Sequence, residues 1–139
     1  MTVTMSAQDL DDFMRAEFPQ VADDFAIEEV GERRIRVRLR VGERHLRPGG
    51  TVSGPAIFAL ADVAVYLAVL AMTGPQALAV TTNCAIDFMR KPAARTDLLA
   101  ECRLLKLGRV LAVGEVLIHS EGMAEPVARA NLTYSIPPK

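Results

Sequence analysis

The sequence predicts an α+β fold in which an antiparallel sheet of about six strands wraps around one long central helix. The first observation is an apolar run over residues 54–72, GPAIFALADVAVYLAVLAM, in which Asp62 is the only charged residue. The second is strand-like alternation of side chains on both sides of this run. A helix that is apolar on nearly every side must be covered, and a curled sheet covers it while burying its own inner face.

The run over residues 54–72 is predicted to be helical because Ala and Leu dominate it and Gly74-Pro75 follows it. Pro55 suits the first turn, where its missing amide hydrogen is not required. The run also approaches the roughly 20 residues that cross a bilayer. A charge at Asp62 would cost about 2.5 to 3.5 kcal/mol there, and no cluster of Lys or Arg flanks the run. We therefore expect a buried core helix rather than a membrane span.

The chain before this helix is predicted to form a short helix and a β-hairpin. Residues 6–17 begin with a Ser cap, carry acidic residues in the opening turns and end before Pro19. Residues 25–30 and 33–41 flank a Gly-Glu turn, and the second strand, RRIRVRLRV, alternates basic and aliphatic residues. We interpret its arginines as a solvated face paired with the acids of FAIEEV, with an anion-binding stripe as the alternative.

Four strand-like runs follow the central helix. They are predicted to pair in sequence order as a meander that completes the sheet, and they cover residues 78–89, 97–107, 110–120 and 127–136.

Length and composition indicate one domain over residues 1–139, with residues 1–20 as an N-terminal helical segment. Sixteen basic and seventeen acidic residues give a net charge of −1, so neither a nucleic-acid partner nor a membrane partner is expected. The N-terminus, MTVTMSAQDLDDF, lacks the pattern of a secretory signal, and a cytoplasmic location is expected. Cys84 and Cys102 form no CxxC pair and are expected to be free thiols.

Several familiar functional motifs are incomplete in this sequence. GGTVSGPA lacks the Lys and Ser or Thr that complete a phosphate-binding loop. Ser53 is not a nucleophile elbow, because Thr51 and Pro55 stand where glycines are required. His45 and His119 are too few and too far apart in the sequence for a metal site or a Ser-His pair, and both are expected at the surface.

Asp62 is the main candidate for catalysis. Burying a carboxylate among aliphatic side chains costs several kcal/mol unless it is hydrogen-bonded or neutralised, so its presence needs a reason. A helix that begins at Asp62, or a structural hydrogen bond, for instance with Tyr66 one turn on, would be a structural reason. Gly54 is the second candidate, because amide hydrogens at a helix N-terminus can stabilise an oxyanion. Its alternative is a plain glycine at a helix start. Pro55 cannot donate, which leaves Gly54 and Ala56.

Three segments carry a resemblance to a known family, and one of them, VTTNCAIDFMRKPA, ends in the aromatic-aliphatic-Arg-x-Pro pattern over residues 88–92. RPGGTVSGPAIFALADVAVYLAVLA is followed by VTTNCAIDFMRKPA and by a segment containing LLKLGRVLAVGEVLI. Together they resemble the hotdog-fold acyl-CoA thioesterases of the phenylacetate-degradation (PaaI-like) type, over about residues 20–136. This family commonly has His-Gly-Gly at the helix start and an acidic residue nine positions after that His. Ser53, Gly54, Pro55 and Asp62 occupy those places here.

The resemblance implies hydrolysis of acyl-CoA thioesters without a metal or redox cofactor. Asp62 would face the thioester from the neighbouring subunit as general base or nucleophile, and the Gly54 N–H would polarise the carbonyl. Thr81 would help to hold water, with a plain strand threonine as the alternative. Because the family's sites lie between subunits, a homodimer or a dimer of dimers is implied.

Candidate substrate-binding residues surround these positions: Ser53, Pro55, Thr82, Asn83, Arg90 and Lys91. Basic residues near strand ends are candidates for holding the phosphates of coenzyme A, although solvated turn residues would look the same: Arg90, Lys91, Arg95, Lys106 and Arg109.

This chain departs from the family pattern at three places. Ser53 replaces the usual His, Pro55 replaces the second Gly, and Arg47 stands where some relatives have a catalytic Asn. A non-catalytic acyl-CoA binding protein is therefore an alternative. An acyl-thioester hydratase on the same fold is disfavoured, because no His accompanies the acid.

Overall fold

The computed structural model describes residues 2–138, so the predicted domain is tested without Met1 and Lys139. Within that range the elements follow the predicted order of short helix, hairpin, long helix and four strands. They are α1 (Ala7–Glu17), β1 (Phe25–Gly31), β2 (Arg34–Leu39), α2 (Gly54–Thr73), β3 (Val80–Phe88), β4 (Leu98–Leu107), β5 (Leu111–Ser120) and β6 (Ala128–Ser135).

All six strands form one antiparallel sheet in the order β1-β2-β4-β5-β6-β3. Helix α2 packs against every strand of the sheet, which confirms the predicted hotdog architecture. The four-strand meander was wrong, because only β4, β5 and β6 pair in sequence order and β3 lies at the edge beside β6. A helix of 20 residues is about 30 Å long. It can therefore carry the chain across the sheet to the far edge.

Helix α2 begins where the sequence predicts and is buried along most of its length. The Ser53 hydroxyl accepts from the Ala56 amide at 3.3 Å, and Gly74, at φ +88°, ends the helix. On β5, a Cβ at Gly114 would lie 2.8 Å from a Val65 methyl carbon, so glycine lets this strand approach the helix. Gly54–Thr73 is long and apolar enough to span a bilayer, and 72% of its 18-residue apolar window is buried inside the fold.

Truncating Leu67 to Ala is expected to lower the free energy of unfolding by about 2 to 5 kcal/mol, because its side chain is fully buried on α2 and would leave a cavity. Leu105→Ala, at a side chain that is 50% exposed on β4, is the matched control and should cost much less. Urea unfolding of both variants at one protein concentration makes the comparison. Equal losses would contradict the assignment of α2 as the centre of the core.

The arginines of β2 lie on the outer face of the sheet and pair with acidic residues, as predicted. Arg34 and Arg36 pair with Glu29 across the hairpin, and Arg36 also pairs with Glu101 on β4. Arg38 pairs with three acids, and these are Glu28, Asp97 and Glu121. A face neutralised in this way supports the solvated interpretation over an anion-binding stripe.

His45 is buried, so the predicted surface position was wrong. It lies in the 3-10 turn Glu43–His45, where its Nδ1 accepts from the Gly42 amide at 2.9 Å. Sequence periodicity carries no sign of this local contact. His119 on β5 is half-buried. The two cysteines are free thiols, as predicted, and burial raises the pKa of Cys102 to about 12.

Candidate active site

The Asp62 carboxylate is held through one of its two oxygens. Its Oδ1 accepts from the Tyr134 hydroxyl at 2.7 Å and from the Thr81 hydroxyl, and the Tyr134 hydroxyl lies 3.0 Å from the Asp62 carbonyl oxygen as well. Oδ2 accepts from no group within residues 2–138 and keeps contact with solvent. The acid is therefore fixed in orientation with one oxygen free to meet a ligand.

The pairing of β3 with β6 places the two hydroxyls beside each other. Thr81 lies opposite Tyr134, and the register shifts between Thr81 and Asn83. This irregularity adds Thr82 to the strand, so that Thr81 and Cys84 both face the helix although they are three residues apart. Without the extra residue Thr81 would point to the outer face, because side chains alternate along a strand. The bulge therefore gives Thr81 its contact with Asp62.

Sequence reasoning missed Tyr134. A signal for it exists, because Ala128, Ala130, Leu132 and Tyr134 alternate along β6 and all four are buried against α2. Burial, and secondarily the Asp62 charge, raises the pKa of Tyr134, so its hydroxyl stays protonated and acts as a donor.

Asp62 does form structural hydrogen bonds, but with Thr81 and Tyr134 and not with Tyr66, whereas the alternative of a helix that begins at Asp62 was wrong. The Tyr66 hydroxyl donates to the Ala77 carbonyl oxygen at 3.2 Å instead of to Asp62. Helix α2 begins at Gly54, two turns before Asp62, so the acid is not an N-cap. Asp62 is also less buried than its apolar surroundings suggest, because it lies at the wall of an open cavity.

This Asp62 cavity has a volume of about 430 Å³. Its apolar lining includes Phe18, which caps α1, and Val63, Tyr66 and Val80. Glu17 and Gln20 add polar groups. A cavity with mixed apolar and polar walls and an oriented carboxylate suits a ligand that places an apolar group against these walls and a reactive centre near the acid.

Gly54 lies at a second cavity of about 710 Å³, which we call the Gly54 cavity. Its lining includes Arg47, Ile57, Phe88 and Lys91. Within residues 2–138 the Gly54 amide has no acceptor, whereas the Ala56 amide is used by Ser53. A Cβ at Gly54 would lie 3.5 Å from the Phe88 ring. Gly54 is therefore the amide left for an incoming oxygen.

The fold of the single chain does not bring Asp62 and Gly54 together. They are eight residues apart on one helix, which is about 12 Å along its axis, and they line different cavities. Asp62 and Thr81 do meet. The Thr82 hydroxyl donates to the Thr133 carbonyl oxygen, and Thr82 and Asn83 are exposed and do not line the Asp62 cavity.

The five candidate basic residues do not form one cluster. Arg90 and Lys91 line the Gly54 cavity, but Arg90 pairs with Glu125 and donates to the Pro126 carbonyl oxygen. The guanidinium of Arg47 and the ammonium of Lys91 have no acidic partner among residues 2–138.

The other three basic residues lie elsewhere. Arg95 pairs with Glu43. Lys106 lies near the end of β4, and Arg109, in the turn between β4 and β5, lines a different cavity near the end of α2. Ser53 caps α2, and Pro55 is exposed and lines neither the Asp62 nor the Gly54 cavity. No group of three or more His, Cys, Asp or Glu that could hold a metal occurs in the described part of the chain.

A six-stranded antiparallel sheet wrapped around one long buried helix is the hotdog architecture, which this chain shares with thioesterases. The chain belongs to the Thioesterase superfamily, whose profile matches residues 49–127.

Three comparisons agree with this. A candidate thioesterase from Silicibacter sp. TM1040 has 56% identity, with 99% of this chain and 96% of that chain covered and a TM-score of 0.93. A mutant form of the phenylacetic acid degradation protein PaaI from Thermus thermophilus has 28% identity, with 86% of this chain and 99% of that chain covered and a TM-score of 0.73. A candidate esterase from Pseudomonas aeruginosa is 32% identical over 89 residues, 64% of this chain and just under two thirds (66%) of that protein. Family and relatives support a hydrolase that acts on thioesters.

Proposed function

We propose that this protein hydrolyses acyl-CoA thioesters to the free acid and coenzyme A. The single observation that carries the proposal is the Asp62 carboxylate, held through Oδ1 by Tyr134 and Thr81 while Oδ2 remains open to solvent. A carboxylate fixed in this way is prepared to take a proton from water beside a bound thioester. The Gly54 amide, at the positive end of α2, is the oxyanion donor.

The proposed site lies between two copies of the chain. Strand β3 is an edge strand, and Leu78, Val80, Phe88 and Met89, on β3 and at its two ends, expose 43 to 77% of their surface. Such an edge gains from pairing with another strand.

Two-fold symmetry would complete the site. Thr81, at one end of β3, contacts Asp62, and Phe88, at the other end, lies against Gly54. If two β3 strands pair antiparallel about a two-fold axis, the Thr81 end of one meets the Phe88 end of the other. Asp62 of one protomer then approaches the Gly54 cavity of its partner. We propose a homodimer, alone or within a dimer of dimers.

The proposed reaction needs only these groups and water. Oδ2 of Asp62 takes a proton from a water molecule while the oxygen of that water attacks the thioester carbon. The Gly54 N–H of the partner subunit stabilises the oxyanion that forms. When the tetrahedral intermediate collapses, the carbon–sulfur bond breaks and the thiolate receives the proton from Asp62. In the nucleophilic variant, Oδ2 attacks the carbon directly, the carbon–sulfur bond breaks and coenzyme A leaves as the thiolate. Water then hydrolyses the mixed anhydride to the free acid and the Asp62 carboxylate, and the proton released goes to the thiolate. Neither variant uses a metal or redox cofactor.

The Gly54 cavity also supports coenzyme A as the thiol part of the substrate. Arg47 and Lys91 are cations without acidic partners among residues 2–138, and guanidinium and ammonium groups are suited to phosphate. The free thiols of Cys84 and Cys102 are compatible with a reducing compartment, and we propose the cytoplasm.

The proposal is tested by measuring free-thiol release from a panel of aliphatic and aryl acyl-CoAs. Turnover of one or more of them is the expected result. Binding of acyl-CoA without turnover would instead establish a non-catalytic binding protein. A product that gains water while its thioester remains intact would establish a hydratase.

Removing either hydroxyl that holds Asp62 is expected to lower kcat/KM about tenfold or more. A hydrogen bond to a charged group contributes about 1.5 to 3 kcal/mol, and about 1.36 kcal/mol corresponds to a factor of ten. Thr81→Val and Tyr134→Phe remove one donor each while keeping the side-chain shape. Thr81→Ser keeps the hydroxyl and is the matched control. Thiol-release kinetics provide the measurement, and a Thr81→Val rate equal to that of Thr81→Ser would show that the contact does not matter.

A further inference from the structure

The buried side chain of His45 lies beside the partly buried Asp24, just before the loop that leads into α2. His45 is only 7% exposed, and its Nε2 lies 3.5 Å from Oδ2 of Asp24, in the turn Ala22–Asp24. Asp24 Oδ1 forms an ion pair with Arg44 but accepts no well-aligned hydrogen bond. The mechanism proposed above uses none of these groups.

The ring of His45 has a defined protonation state. Because Nδ1 accepts from the Gly42 amide, a neutral ring carries its hydrogen on Nε2, on the side of Asp24. Burial, together with the Arg44 charge, lowers the pKa of His45 and favours this neutral form. The side chain therefore holds its own turn through Nδ1, and its Nε2 faces the Asp24 carboxylate of the turn Ala22–Asp24 at 3.5 Å.

The backbone of His45 is hydrogen-bonded to the end of the loop that precedes Gly54. The His45 carbonyl oxygen accepts from the Ser53 amide at 2.8 Å, and Leu46 and Val52 form an isolated bridge. Ser53 is the N-cap of α2, so the next residue along the chain is Gly54. A displacement of His45 would therefore reach the Gly54 amide through one hydrogen bond and one peptide unit.

We propose that His45 and Asp24 form a positioning pair that fixes the Gly54 amide in line with the developing oxyanion. This inference rests on the proposed function, because it assigns the pair to that reaction. The oxyanion exists only in the transition state and the intermediate, so the pair affects kcat and leaves KM nearly unchanged.

His45→Ala is expected to lower kcat by about tenfold to a hundredfold, as a displaced oxyanion donor does. His45→Asn should recover most of this loss, because its side-chain oxygen can replace Nδ1 as the acceptor for the Gly42 amide. Asp24→Asn is a second variant, expected to lower kcat severalfold, and it keeps the test decisive if His45→Ala does not fold. Thiol release from a turned-over acyl-CoA measures each rate.

The decisive comparison repeats these substitutions in a Gly54→Pro background, where the amide hydrogen is absent. A positioning role predicts no further loss of kcat there, whereas a merely structural role lowers the rate by the same factor in both backgrounds. Equal losses, or a loss expressed in KM, would overturn the inference while leaving the proposed function in place. A wild-type protein that releases no thiol from any acyl-CoA would overturn the proposed function, and the inference with it.

Discussion

Replacing Asp62 with Asn is expected to lower kcat by about a thousandfold, within the roughly 10²- to 10⁴-fold range of general acid–base catalysis. The amide oxygen of Asn can still accept from the Thr81 and Tyr134 hydroxyls that now hold Oδ1. Only the free Oδ2 is exchanged, for an NH₂ group that cannot take a proton from water. The substitution therefore removes the chemistry while keeping the contacts that orient the side chain.

The control for this variant is Asp12→Asn on the exposed face of α1, where the carboxylate accepts from Gln8 and from no other group within residues 2–138. Its rate should match that of the wild type. Thermal unfolding of Asp62→Asn should also remain close to wild type, since its buried hydrogen bonds are kept. If Asp62→Asn retained more than a tenth of the wild-type kcat, Asp62 would be neither the general base nor the nucleophile.

The sequence was sufficient to find the helix and the acid, because both are composition signals. An apolar run with one charged residue within it indicates a buried helix and identifies Asp62 as unusual, independently of how the strands around it pair. Gly54 follows from the same run, since it lies where the helix starts. These features depend on local physics and could be predicted without knowing the topology.

The environment of Asp62 could not be predicted in the same way. Thr81 reaches the acid because β3 pairs with β6 and carries an extra residue at Thr82, and Tyr134 reaches it because it lies opposite Thr81. Strand pairing between segments about 50 residues apart is set by the whole sheet and not by the periodicity of either strand. His45 is a similar case, because its partners depend on how two short turns pack together.

Gly54→Pro is expected to lower kcat by about 10²- to 10³-fold, the effect of losing one oxyanion donor. Residue 54 is the first residue of α2, a position that tolerates proline, and Ser53, at ψ 156°, has the backbone that precedes proline. Gly54→Ala is the matched control. It keeps the amide hydrogen, its Cβ would meet Phe88 at an ordinary contact distance, and Pro55 restricts residue 54 equally in both variants.

Mixing the two inactive variants tests whether the site is shared between subunits. In a dimer with one Asp62→Asn chain and one Gly54→Pro chain, one site carries both defects and the other carries neither. Such heterodimers, purified through two different affinity tags, should have about half the activity of a wild-type dimer, although each parent homodimer has about 1% or less.

This restoration follows from the proposed dimer, in which Asp62 and Gly54, which line separate cavities of each chain, meet across the two-fold axis. A site contained within one chain predicts a different result, since every chain in the mixture would then carry one inactivating substitution. The heterodimer would show no more activity than the mean of its parents. The thiol-release rate of that one preparation therefore decides between the two arrangements, and it does so without any assumption about which acyl group the protein prefers.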